Sequence, residues 1–313
     1  MKSIIFMFLL FSTNLKSEES NMIVNAKNNK KKTKVIIIDY VNSVWVNPIN
    51  RAFQSYLDKT NENLSFYHFI WSNRRDKIEF LDEIVSWKPD IVFMPDEILY
   101  RLFAKEISIR TGAHLSTFFC TSTRADIIDY QNQSGVFNEY PAKKVIEFAR
   151  KSFKIDRVAI LGGPFAGDVV DKIQAPLKGV VQVDGFIETE WLKYKERLLE
   201  IEKKYDAVWL LLPFGVKDGE HVVDFKKLDL VAKQLKIPSF GYGGIDTVTR
   251  TITLGLLQEK VGQYCATLVY SAFFKGNKPE IQNYTSYDLS IDTAHALKLG
   301  LKITDEMAQF LKE

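Results

Sequence analysis

Gly162 and Gly167 in the stretch VAILGGPFAGDVV stand five residues apart at the end of an apolar run. That is the glycine spacing of a loop that cradles phosphates. Such a loop needs a lysine after its last glycine to reach the phosphates, then Ser or Thr to hold magnesium. Asp168 and Val169 occupy those places. A carboxylate there repels phosphate, and Pro164 removes one backbone N–H from the cradle. The dinucleotide pattern Gly-x-Gly-x-x-Gly is not matched either, so a phosphate site is not expected. His221 stands with Asp218 and Glu220 in GVKDGEH, a trio able in principle to hold a metal or move a proton. Its glycine-rich setting reads instead as a solvated loop. No Gly-x-Ser-x-Gly nucleophile elbow is present. His68 falls inside an expected strand, His295 inside a terminal helix, and His114 at the start of a strand. Two cysteines, Cys120 and Cys265, sit in apolar settings; they read as two buried free thiols, with a disulfide between them the alternative that export would permit, and they form no metal-ligand cluster with the histidines. Catalysis, a metal and a cofactor are therefore not expected.

The elements that would position a site alternate between strand and helix from Lys34 onward. KVIIIDYV is a continuous β-branched run, as in a strand covered on both faces. PINRAFQSYLDKT, RDKIEFLDEIVSW and EILYRLFAKEI have helical periodicity, and LSFYHFIW, DIVFMP and HLSTFFC read as strands between and after them. A polar stretch from Thr121 to Pro141, with a short extended piece GVFNEY, interrupts the rhythm. It then restarts with the helix AKKVIEFARKSF and the strand RVAILGG, and continues to PSFGYGG. This pattern predicts two α/β blocks joined near residues 135–140, each a parallel sheet with helices on both faces. The remaining pieces are TITLG, the long helix LQEKVGQYCATLVYSAFFKG, the extended EIQNYTSYDLSID and the helix TAHALKLGL. They are too few for a third domain and must complete the two sheets, so the chain must cross between blocks more than once.

Open parallel sheets bind ligands outside the carboxyl ends of their strands. In the first block that edge follows strand one with Asn42 and Trp45, strand three with Asp96, and strand four with Thr121, Ser122 and Thr123. In the second block it offers Phe165, Phe214, and Tyr242 to Asp246, while Asn138 lies at the joint. Trp45, Phe165, Phe214 and Tyr242 can supply aromatic faces. The hydroxyls can take a carboxylate, and Asp96 or Asp246 can take an ammonium. Plainer roles stand beside these: Asp96 can cap a helix, and Phe165 either faces a ligand or anchors its own loop.

The N-terminus carries a different signal. Met1-Lys2 precedes the apolar run IIFMFLLF, which is too short for the roughly 20 residues of a bilayer span. It fits a secretory signal peptide over residues 1–17, with Leu15-Lys16-Ser17 as the cleavage region. No cysteine follows it, so lipid attachment there is excluded. Residues 18–33 read as a solvated polar leader containing Lys27 and Lys30 to Lys32. The formal net charge is +3 with no basic stripe, which argues against nucleic acid.

Three stretches carry a family resemblance. SGVFNEYPAKKVIEFARKSFKIDRVAILGGP resembles the crossover of type I periplasmic solute-binding proteins of ABC importers, in the group that includes tryptophan- and tyrosine-type binders. TITLGLLQEKVGQYCATLVYSAFFKGNKP resembles the return segment of that group, and LSIDTAHALKLGLKIT its C-terminal signature. They follow the family order over residues 34–305. The chain departs from it after strand four, at Thr121 to Arg124, and at Gly243-Gly244. The resemblance implies two Rossmann-like lobes with three hinge crossovers, residues 34–137 with 253–284 and residues 138–252 with 285–313. It implies a monomeric periplasmic protein that closes on a small solute, first an aromatic or other amino acid, and passes it to an ABC permease. Two rivals are a protein that signals occupancy to a membrane receptor or kinase, and a cleft enzyme on a small metabolite. A transcription regulator of similar lobes is disfavoured by the export signal.

Overall fold

A computed structural model describes residues 32–40, 46–60, 63–72, 74–119, 127, 130–137, 141–213, 215–243, 250–284, 287–300 and 311–312. Over these the chain forms two units. One runs from the first strand to Glu139 and takes in Leu257–Ser286; the other holds Tyr140–Leu256 and Tyr287–Glu313.

The first unit begins with β1 (Thr33–Tyr40), whose central residues Val35 to Ile38 are fully buried. Burial on both faces is what its unbroken β-branched run requires. It continues through α1 (Asn47–Thr60), β2 (Leu64–Trp71), α2 (Lys77–Ser86), β3 (Ile91–Met94), α3 (Glu97–Thr111), β4 (His114–Phe119) and β5 (Gln133–Phe137). Residues 135–137 of the piece GVFNEY thus belong to a full sheet strand. After the chain returns, α8 (Gln258–Val269) ends in a π-helical turn, Tyr270–Phe274, and β13 (Ile281–Asn283) joins the sheet. The strand order is β13-β5-β4-β3-β1-β2, parallel throughout. On one face, rings of Trp71, Phe80 and Phe103 pack centroid to centroid at about 5 Å. Phe53 of α1 stacks on Phe93 of β3 at 3.9 Å.

The second unit follows with α4 (Ala142–Ala149), β6 (Arg157–Gly162), α5 (Gly167–Leu177), β7 (Gln182–Ile187), α6 (Trp191–Lys204) and β8 (Ala207–Leu210). Next come a small hairpin, β9 (Lys217–Asp218) with β10 (His221–Val222), then α7 (Phe225–Ala232), β11 (Ser239–Gly243) and β12 (Ile252–Leu256). It closes with β14 (Tyr287–Asp292), α9 (Thr293–Lys298) and β15 (Leu311–Lys312). The sheet order is β15-β14-β12-β11-β8-β6-β7, in which β14 runs antiparallel to β12. Because β12 pairs with both β11 and β14, the second unit runs on through Leu256 instead of ending at 252. The extended piece EIQNYTSYDLSID splits, giving β13 to the first sheet and β14 to the second.

Candidate functional site

Both sheets share one strand order. Counting strands within each unit, it is 2-1-3-4-5 with additions at the far edge. The connections from strands one and three run to opposite sides, so a crevice opens between those strands at their carboxyl ends. In the first unit that point lies between β1 and β3, and in the second between β6 and β8.

The first point is acidic. Asp39 is the penultimate residue of β1, and Asp96 follows β3. Asp39 accepts hydrogen bonds from the Tyr40 N–H and from Asn50 Nδ2 of α1, both at 2.7 Å. Burial raises its pKa to about 7, and the neighbouring Asp96 charge adds to the rise. Asp96 is 8% exposed. Its Oδ1 accepts from the Ile98 N–H at 2.6 Å, so it caps α3. Burial lifts its pKa to about 6, with Glu97 contributing. Glu97 itself is paired with Arg101 at 2.6 Å. Tyr40, beside Trp71 in the register, has its phenol pushed up by burial. Two carboxyl groups are thus held where the charged form is disfavoured, beside one another.

The second point is built from a ring and backbone. Phe165, in the turn from β6 to α5, lies over Gly215, just after the β8 strand. A Cβ on Gly215 would meet the Phe165 ring at 2.4 Å, and its φ of +80° is a conformation side chains rarely adopt. Phe165 is partly exposed, so one face packs on the glycine while part of the ring remains open. Asp168 lies in the first turn of α5, which is unfavourable ground for an anion near that helix start. Deeper in the unit, Arg250 is 2% exposed. Its Nε lies 3.4 Å from the Leu210 carbonyl, and it passes over Gly241, where a Cβ would sit 2.1 Å from that nitrogen.

Of the ten candidates read from the sequence, Asn42, Trp45, Thr121, Ser122, Asn138, Phe214 and Asp246 lie outside the described residues. Asp96 sits at the first crevice as a helix cap, and Phe165 at the second as the anchor of its own turn. The Tyr242 ring packs toward the core, 5.9 Å from Trp209. Asp39, Asn50 and Arg250 went unread. Asp39 was signalled as the first polar residue ending the run VIIID; Asn50 and Arg250 carry no such mark.

Two histidines, His114 and His295, sit in buried contacts with other parts of their units. His114 Nε2 meets Ser134 Oγ at 2.9 Å, and burial lowers its pKa to about 4. His295 lies 3.3 Å from both Thr251 Oγ1 and the Leu235 carbonyl. The carbonyl only accepts, so Nε2 carries the proton. Asp218 is held by Lys227 at 2.5 Å and pairs with His221 across the exposed hairpin.

No family model matches the sequence, and no curated protein matches it. Solved structures do. A ligand-free, open substrate-binding protein with adhesive properties from Clostridium difficile is 13% identical, with a TM-score of 0.70, over 90% of this chain and 99% of its own. An ABC domain from Streptococcus pneumonia in complex with L-Trp is 15% identical, with a TM-score of 0.64, over 90% of this chain and 100% of its own. The fold is that of a type I periplasmic binding protein. Regulators use the type I fold too: a LacI family transcriptional regulator from Bifidobacterium animalis is 10% identical, with a TM-score of 0.58, over 83% of this chain and 96% of its own. Type I binding-protein architecture therefore establishes the framework of this chain, and function must be argued from its side chains.

Proposed function

We propose that this chain is an exported solute-binding protein that captures a small molecule between its two units and delivers it to an ABC importer. The observation that carries the reading is its likeness, over 90% of the chain, to a substrate-binding protein and to an ABC domain in complex with L-Trp, both of which it covers almost end to end. The solute class proposed is an aromatic or other amino acid. Asp96 at one crevice and the partly open ring of Phe165 at the other support it, the acid for an ammonium and the ring for a side chain. Asn42, Trp45, Thr121, Ser122, Asn138, Phe214, Tyr242 and Asp246 complete the proposed contacts. Closure of the units around the solute would be the state a permease recognises. The protein acts as a periplasmic monomer after its leader is removed, and binds without turning the solute over.

The test is a thermal-shift screen of amino acids, nucleosides and small carboxylates. A ligand specific to the folded state stabilises it by about 2.7 kcal/mol at a hundredfold excess over Kd. A rise in melting temperature with L-tryptophan or L-tyrosine is expected. No shift with any amino acid at millimolar concentration rejects the solute class, and turnover of a bound compound rejects the binding role.

A further inference from the structure

We propose that Asp39, supported by Asn50 and Asp96, forms a subsite for a protonated amine, and that the solute must carry one. The inference rests on the solute-binding reading and narrows it.

The geometry makes the point. Asp39 and Asp96 end adjacent strands at the crevice where a parallel sheet of this order takes its ligand. Asn50 is 4% exposed, and its Nδ2 is committed to Asp39 Oδ2 at 2.7 Å. Its Oδ1, on the same amide, has no hydrogen-bond partner among the described residues. A buried acceptor left without a donor costs free energy. It belongs to the amide bound to Asp39, whose carboxyl feels the Asp96 charge, so among the described residues the site presents acceptors in excess of donors. Among the described groups around Asp39, the titratable ones are Tyr40 on β1, Asp96 after β3, and the Glu97–Arg101 pair on α3. Arg101 is bound to Glu97 at 2.6 Å, while α1 brings Asn50 and β2 brings Trp71, neither of them charged. An ammonium supplies three donors and a positive charge, which answers both deficits. A neutral hydroxyl would answer only one of them.

Burial holds Asp39 partly protonated near neutrality, so an arriving ammonium displaces that proton to water. Affinity should then rise with pH through about 7 and level off while the amine stays charged.

Calorimetry with L-tryptophan, tryptamine and indole-3-propionate tests the subsite. The first two should bind, and the deaminated acid should bind at least about tenfold more weakly. Asp39→Asn should weaken both amines by about tenfold or more and leave the deaminated acid unchanged. At pH near 6, binding of L-tryptophan should release protons, seen as a heat that varies with the buffer's ionisation enthalpy. Indole-3-propionate binding as tightly as L-tryptophan, or Asp39→Asn binding the amines like the parent, overturns the subsite while leaving the solute-binding reading intact. Tryptamine or ethanolamine binding without L-tryptophan rejects the amino-acid class and keeps the subsite. Binding by none of these amines, with L-leucine and L-arginine added, overturns the subsite too.

Discussion

The two crevices occupy equivalent places in equivalent sheets, yet they are made of opposite materials. At the β1–β3 crevice stand two carboxyl groups and, on α1, an amide oxygen without a donor among the described residues. Between β6 and β8 stand a phenyl ring, a glycine and a helix start. Topology selects the place, and side chains select the chemistry. Among the described residues, burial disfavours the charged form of both carboxyl groups at the acidic crevice, a cost that the proposed amine subsite would relieve. At the aromatic crevice one face of the ring is seated on Gly215 while part of it stays open.

The largest effect expected comes from the packing beneath the aromatic crevice. Gly241→Ala places a methyl group 2.1 Å from the buried Arg250 Nε and 2.8 Å from the Leu210 backbone. The backbone cannot give way, and a displaced guanidinium loses its contact with the Leu210 carbonyl. A loss on the order of 3 kcal/mol is expected, read as a lower urea midpoint with unchanged slope. An unaltered midpoint would mean that Arg250 is not fixed there and that the second crevice is softer than its packing indicates.

The next effect separates the ring from its seat. Gly215→Ala meets a left-handed backbone cost of about 1–2 kcal/mol together with the clash against Phe165. Adding Phe165→Ala removes the clash and leaves the backbone cost. The double variant should therefore be more stable than the sum of the single variants predicts, a coupling within the usual range of about 0.5–3 kcal/mol for contacting residues. Strict additivity in denaturation would show that the ring does not rest on the glycine.

How much of this was legible in the sequence depends on what carries each feature. The alternation of apolar runs and amphipathic stretches marked the strands and helices, because burial on two faces leaves an unbroken run such as VIII in β1. The extended tail was divided less well: β13 and β14 look alike, and only pairing shows that they enter different sheets. Asp96 was read as a ligand group with capping as the alternative; it sits at the crevice and caps α3. Asp39 is harder to read, because ligand groups are expected in the loops after strands and this acid is still inside β1. Asn50 was beyond reach, since only a tertiary contact turns that helix residue toward β1. Arg250 was equally so, for its course over Gly241 is a matter of three dimensions.

The smallest effect addresses the acidic crevice in the ligand-free protein. Asp39 has a pKa near 7 when folded, against an ordinary value near 4 when unfolded. Between those values the folded state keeps a proton that the unfolded state has released. Stability linked to this group is therefore present at low pH and lost as pH rises through about 7. Asp96, raised in the same direction to about 6, reinforces the trend. His114 opposes it: its lowered pKa means that acidification below about 6.5 favours the unfolded state. The comparison that isolates Asp39 is thus between parent and Asp39→Asn, which share His114 and Asp96. Asp39 is partly exposed, so solvent screening trims the effect to about 1 kcal/mol. The variant should melt higher than the parent at pH 8, and the gap should narrow as pH falls below 7 and close only below about 4. A variant that is less stable than the parent at pH 8 would make Asp39 a structural anchor, and the two crevices would then differ in composition but not in kind.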